Sequence, residues 1–372
     1  YSDGKLFARI KNSYYADKVL DTFIKFGAPE EIRYVSKPHL GTDVLCKIVR
    51  NIRNFILERG GEVYYGAKMT DILISDGIAS GVVINGTAEY RSSIIYLALG
   101  HSARDTFGML FNKGILLEQK PISVGVRIEH PAEIINRIRY GNKYKDCPAV
   151  GNATYSFTYT DRKIRRGVYT FCMCPGGEVI NASSEHGMLV LNGMSYSQRA
   201  SHFSNSALVV TCHTDDYGSM HPLAGIEFQR NIERKAFEAG GGNWNVPAQN
   251  LVDFLRKRLS CSLNEHSYKM GAAAVNMHEI LPQFATETLL ASFNTWKKDY
   301  PLFVSDHGIL LAAETRTSSP VKIKRGENFE SVTVKNLYPI GEGSGYAGGI
   351  TSSAIDAIKA VEASLSAMEG IN

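Results

Sequence analysis

The sequence predicts a mixed α/β (α+β) protein in which a β-rich segment interrupts an α/β layer. Three observations carry this. Residues 41–110 order as helix, strand, meander, buried strand, glycine and helix. From Pro121 the texture turns to short strands rich in Ser, Thr, Tyr and Gly. The tail then returns to a strand, a glycine turn and a helix. A length of 372 residues suffices for two domains and a sizeable core.

The first strong helix begins at Gly41-Thr-Asp. Thr42 suits an N-cap, and Asp43 suits the positive end of the helix. Val44, Leu45, Ile48, Val49, Ile52, Phe55 and Ile56 make one apolar stripe at helical period, and Gly60-Gly61 supplies a left-handed stop. A short strand is expected at 62–65. Asp76-Gly77 and Asn85-Gly86 are hairpin turns, so 69–75, 78–84 and 89–91 read as a small antiparallel meander. Residues 93–99 are apolar throughout, as expected of a parallel strand covered on both faces. Gly100 ends that strand, and 101–110 reads as a helix.

Residues 122–129 alternate, with Val124, Val126 and Ile128 on one face, and His130-Pro131 opens a short helix. Strands are expected at 154–159, 168–173 and 207–212, and helices at 225–239, 247–259 and 284–297. The expected domains are a discontinuous one, 1–118 and 306–372, and a mixed one, 119–305, inserted into it. In the tail, 336–340 is a short apolar strand. Ile350, Ala354, Ile358, Val361, Leu365 and Met368 give the last helix its stripe.

Bulk properties narrow the function classes. A net charge of +4 without any Lys/Arg block argues against nucleic acid and leaves room for a small anionic ligand. No apolar run reaches the roughly 18 residues of a spanning helix, so no membrane partner is expected. Six scattered cysteines are too sparse for a disulfide scaffold and point to a reducing cytoplasm. Cys172-Met-Cys174 matches no ligand or redox spacing and reads as two ordinary buried thiols. His213-Thr-Asp215 and His221 match no common metal site, so no metal is expected.

Gly343, Gly345 and Gly348 form a G-x-G-x-x-G at the end of the chain. A dinucleotide turn of that kind needs a following strand and an acidic residue about 20 positions on. Only 24 residues follow Gly348, and one helix takes up most of them, so the pyrophosphate turn of a self-contained Rossmann unit is not expected here. Two readings of the glycines stay open. They let backbone approach a ligand, or they let helix and sheet pack closely. The helix start beyond them offers unpaired N–H groups and about half a positive charge, a place for an anion or an electron-rich carbonyl.

Gly341-Glu-Gly-Ser-Gly-Tyr-Ala-Gly-Gly-Ile350 resembles the C-terminal flavin motif of FAD-dependent oxidoreductases. The whole chain resembles the FAD-dependent dehydrogenases often called NAD(FAD)-utilizing dehydrogenases. The matching stretches, in order, are Ser2-Asp-Gly-Lys-Leu6, Pro38-His-Leu-Gly-Thr-Asp43, Ala98-Leu-Gly-His-Ser-Ala-Arg-Asp-Thr106, Val124-Gly-Val-Arg-Ile-Glu-His-Pro131 and Glu314-Thr-Arg-Thr-Ser-Ser-Pro320. The resemblance implies an FAD/NAD(P)-binding flavoprotein-like domain with an inserted substrate or cap domain. It implies FAD contacts at Ser2, Asp3, Gly4, Met69, Leu99 and Gly100. It implies further contacts at Gly341, Glu342, Gly343, Gly345, Tyr346, Ala347, Gly348, Gly349 and Ile350. The family's front strand, G-x-G-x-x-G and helix do not precede Tyr1, so the chain reads as N-terminally truncated.

Lys5, His39 and Arg316 are the candidates for catalysis or for binding an anionic substrate. Each also has a structural reading: a solvated lysine, a hydrogen-bonded histidine, and an arginine paired with Glu314 or Glu342. His101 and Arg104 lie beyond a strand's carboxyl end, where α/β sites open. Arg104 either grips an anion or pairs with Asp105 or Glu118. The first functional expectation is an FAD-dependent oxidoreductase moving hydride between a small substrate and flavin, with NAD(P)H as a further partner. The alternative is a truncated, flavin-free module whose exposed sheet edge drives association into an oligomer.

Overall fold

A computed structural model describes residues 4–6, 14–35 and 38–369. Among these, one compact unit comprises Pro121–Asp216 and Glu227–Thr317. The other comprises Gly4–Lys120, Tyr217–Ile226 and the residues from Ser318 onward.

The first unit is built on a seven-stranded sheet. Its spatial order is Ala272–Ala274, Val246–Asn250, Ile309–Glu314, Ile122–Pro131, Phe203–Cys212, Arg166–Cys174, Thr158–Asp161. Only Ala272–Ala274 and Val246–Asn250 pair in parallel. Helices Ala132–Tyr144 and Gln283–Asp299 pack on the sheet, as does a hairpin of Glu178–Asn181 and Leu191–Met194. The central strand Ile122–Pro131 is buried along nearly its whole length on both faces. Its apolar alternation marks only one face. The other carries Arg127 and Glu129, both fully buried.

Four expectations need correction here. Residues 247–259 are not one helix, because Val246–Asn250 is a fully buried strand and only Leu251–Leu255 is helical. Pairing with Ile309–Glu314 overrides the local helical pattern. Ile309–Glu314 itself, expected with the tail, lies beside the central strand of this sheet. The strand at 154–159 forms later, as Thr158–Asp161. Cys172 and Cys174 are not both buried thiols. Cys172 sits at a φ of 49° and is half-buried, while the buried Cys174 thiol donates to the Cys172 carbonyl at 3.3 Å.

Two ionic groups organise the inner face. The Arg127 guanidinium donates to Glu314 Oε2 and Asn192 Oδ1, each at 3.1 Å, and to the Cys172 carbonyl at 2.8 Å. Glycine at 193 makes room for it, since a Cβ there would stand 2.6 Å from Arg127 Nη2. Two strand positions on, Glu129 accepts from Ser267 N at 2.7 Å and from Ser267 Oγ at 2.5 Å. Burial nevertheless pushes the Glu129 carboxyl up to about 7 from an ordinary 4.5, against the pull of Ser267 and Arg127. The folded state therefore binds extra protons between those values. The resulting stability is complete below about 4.5 and is lost as the pH rises to about 7. The Tm is expected to fall between about pH 5 and about pH 8, and Glu129→Gln to reduce that fall. Thermal melts of both proteins check this, and an equally steep fall in the variant would remove Glu129 as its source.

The second unit holds the antiparallel meander Met69–Ser75, Ile78–Ile84, Ala88–Arg91. Asp76, Gly77, Asn85 and Gly86 all take positive φ, as the two-residue turns require. Strand Ile95–Leu97 pairs in parallel with Leu337–Pro339, joining the tail to the front of the unit. Ile72, Phe107, Leu110, Leu337 and their neighbours form its main core, with Met69 and Leu99 packed against it. Helix Thr42–Glu58 forms as expected, but Thr42 is its first helical residue and Gly41 takes the capping position without a side-chain bond. Residues 62–65 do not form a strand. Helix Arg104–Asn112 starts later than expected, and helix Tyr14–Lys25 carried no clear signal.

The last helix, Ile350–Glu369, buries Thr351, Ile355, Ala360 and Ser364, while Leu365 and Met368 are exposed. The buried face differs from the apolar stripe because the helix lies on Tyr338 and Tyr96. Ala360 packs with Tyr338, and Ser364 Oγ meets the Tyr96 hydroxyl at 2.5 Å. Small residues there admit the rings. No helix among the described residues is long and apolar enough to cross a membrane.

Candidate functional site

The second unit brings four pieces of chain together. The parallel strands Ile95–Leu97 and Leu337–Pro339 end side by side, and Ile340 N still donates to Leu97 O at 3.0 Å. Each strand runs into a glycine-containing turn, 98–103 and 340–349, which then leads to a helix. Crevices in α/β proteins open at such carboxyl ends.

The glycines divide the two readings left open by the sequence. Gly343 packs: a Cβ there would lie 2.5 Å from the Gly100 carbonyl oxygen. Gly345, at a φ of 85°, packs against the backbone of Val321 and Lys322. Gly348 and Gly349 do the opposite. Both are exposed, and a Cβ on either meets nothing within 4 Å. The start of the last helix is thus laid open, with first-turn N–H groups that have no intrahelical acceptor. Ser352 Oγ accepts from Gly348 N at 3.3 Å, while Thr351 in the same turn is buried.

The turn is held from beneath. Asp356, on the last helix, accepts from Gly341 N at 2.8 Å and takes both arms of the Arg325 guanidinium, at 2.9 and 2.5 Å. Arg325 also donates to the Pro339 carbonyl and lies over the Tyr346 ring, 4.1 Å from its centroid. Lys322 covers the same ring at 4.4 Å. Tyr346 therefore serves as a brace between cations, and Ala347 is buried. Glu342 stands at the mouth, 3.2 Å from His101 Nδ1. Its charge opposes the burial that lowers the Lys120 ammonium.

Lys5 and His39 come to the same place. They face each other across an antiparallel bridge, with Leu6 N donating to Pro38 O and Leu40 N to Gly4 O. Thr351 Oγ1, in the first turn of the last helix, donates to Leu6 O at 2.8 Å. Ile350 packs on Leu6, Leu40 and Ile48. A Cβ on Gly4 would meet Gly41 N at 2.9 Å, so the bridge closes only over glycine. Ser2 and Asp3 lie outside the described residues.

Arg316 lies in the first unit and pairs with the fully buried Glu233 at 3.0 Å, with a further bond to Ser184 Oγ. Neither expected partner is used, since Glu314 is taken by Arg127 and Glu342 faces His101. Arg104 is buried, and its two expected partners are engaged elsewhere, Asp105 by Lys68 and Glu118 by Lys324. No cluster of three metal-ligating side chains occurs among the described residues. Asp356 and Arg325 escaped the sequence reading. Their only signal was an acid and a base flanking the glycine turn, which spacing alone does not pair.

A family model described as "FAD-dependent protein, C-terminal domain-like" matches residues 121–317, more than half of the chain. The chain belongs to this FAD-dependent family. An uncharacterized protein of Clostridium beijerinckii is 45% identical over 364 residues, which cover 97% of this chain and 68% of that protein. Likeness to solved structures is looser. An oxidoreductase from Methanosarcina mazei is 12% identical, with 92% of this chain and 58% of that chain covered and a TM-score of 0.36. For E. coli quinol fumarate reductase FrdA the values are 13%, 98%, 63% and 0.37. The chain spans less than two thirds of these solved chains.

FAD fits the residues present in one respect displayed by this structure. Gly348 and Gly349 present bare backbone to open space, which any side chain would cover, at a helix end that favours negative charge. Gly100 also opens to space. Met69 and Leu99 pack on one core, which leaves them to contribute backbone and apolar surface.

Proposed function

We propose that this protein binds FAD at the Gly348–Gly349 cradle and works as an FAD-dependent oxidoreductase on a small substrate. The observation that carries the reading is the open amino end of helix Ile350–Glu369 behind two glycines. Bound FAD supplies two-electron, hydride-accepting chemistry. The helix end supplies fixed N–H dipoles and partial positive charge where the reduced ring gathers negative charge. Asp356 and Arg325 keep that end in place, so little reorganisation is needed when charge develops. Lys5 and His39, brought to the first turn through Leu6 and Thr351, are the groups best placed to orient an anionic substrate or to hold a proton. Hydride transfer from that substrate, and NAD(P)H as a partner, belong to the same reading.

Gly348→Asp tests it. Position 348 has neither a positive φ nor a neighbour for a Cβ to strike, so the fold should persist. The new carboxylate fills the cradle and opposes the flavin's negative edge, and FAD affinity should fall by about tenfold or more. Quenching of FAD fluorescence on titration reads the change. Equal affinity in parent and variant would place the flavin elsewhere.

A further inference from the structure

The first unit contains a cavity. It is a partly open space of about 170 Å³, lined by Ile135, Ile138 and Arg139 of helix Ala132–Tyr144, by residues 154–157, and by Tyr300 and Phe303. We propose that this cavity is a binding site for a small single-ring aromatic carboxylate, with the ring among Phe157, Tyr300 and Phe303 and the carboxylate on Arg139.

Size, wall and charge each point the same way. A cavity of about 150 Å³ lined by apolar side chains is enough to hold benzene. Here the wall is aromatic and its geometry is fixed. Phe157 and Phe303 have centroids 4.3 Å apart, Tyr300 stands edge-on to Phe157 at 4.9 Å, and Tyr155 stands edge-on to Phe303 at 5.3 Å. The wall is pinned by polar bonds and stacking. Tyr155 Oη meets Ser206 Oγ at 3.0 Å, and the buried His130 stacks on Phe303 while its Nε2 contacts the Phe303 carbonyl. A ring entering this space finds offset and edge-on partners already in position, without the cost of ordering them.

Arg139 sets the charge of the ligand. It is exposed and has no hydrogen-bond, ion-pair or ring partner among the described residues. Its neighbours one turn back on the helix are Ile135 and Asn136, so no carboxylate on that turn competes for it. A guanidinium offers two parallel N–H donors that match a carboxylate. The hydroxyls of Thr154 and Ser156 stand in the same lining and add acceptors and donors at the exposed side. A neutral ring would use only the wall, and an aliphatic acid only the arginine. An aromatic acid uses both.

Calorimetric titration of the full chain with sodium benzoate and with benzamide tests the site. Benzoate is expected to bind saturably in the millimolar range or below, and more tightly than benzamide. Arg139→Gln changes an exposed residue and should leave the fold intact. It should weaken benzoate by about tenfold or more and leave benzamide unchanged. Emission of Trp296, 5.5 Å from Phe157, should change as benzoate binds. No saturable benzoate binding, or binding that Arg139→Gln does not weaken, would overturn the proposal.

Discussion

Arg127→Met is expected to destabilise the β-rich unit by about 3–5 kcal/mol near neutral pH, because it leaves a buried carboxylate without its counter-charge. Glu314 lies 3.1 Å from the guanidinium, and both side chains are almost completely enclosed. The Asn192 side chain and the Cys172 carbonyl lose a donor in the same change. Burial already pushes the Glu314 carboxyl up to about 7 with Arg127 in place. Without the arginine it should protonate more readily, so the destabilisation should shrink as the pH falls. The double variant Arg127→Met, Glu314→Leu should recover much of the loss, since an apolar pair of similar volume replaces two desolvated charges. Urea unfolding of the three proteins at two pH values checks all of this. A single variant as stable as the parent would mean that the pair contributes nothing to the unit.

Gly343→Ala should cost about 1–3 kcal/mol and weaken flavin binding as well. The added methyl would lie 2.5 Å from Gly100 O and 2.9 Å from Gly100 N. These are backbone atoms, so no rotamer change relieves the clash, and the turns at 98–103 and 340–349 must move apart. Gly348→Ala, with nothing within 4 Å of its Cβ, serves as the contrast and should leave stability nearly unchanged. Denaturation midpoints and FAD titrations of the two variants separate packing from cradle. Equal stability for both would show that the two turns are not in contact.

Much of the α/β layer was legible because its signals are local. The turns at Asp76-Gly77 and Asn85-Gly86, the strands on either side, and the glycine stop after helix Thr42–Glu58 depend on backbone conformations that few residues adopt. The β-rich unit was less legible. Val246–Asn250 reads as helix in isolation and becomes a strand because Ile309–Glu314 offers it an edge. Of the candidate site residues, Lys5, His39 and the glycine turn converge, while Arg316 is claimed by Glu233. Nothing in the spacing of residues 233 and 316 announces that pair.

The sequence alone determined that a short apolar strand runs through a glycine-rich turn into a terminal helix. Glycine and helix periodicity act within a few residues, so that much needs no fold around it. Only the tertiary structure decided which glycines face a neighbour and which face open space, and which charges are spent on each other. Those outcomes depend on chain segments far apart in sequence meeting in the folded state, where a Cβ or a counter-ion is either present or absent.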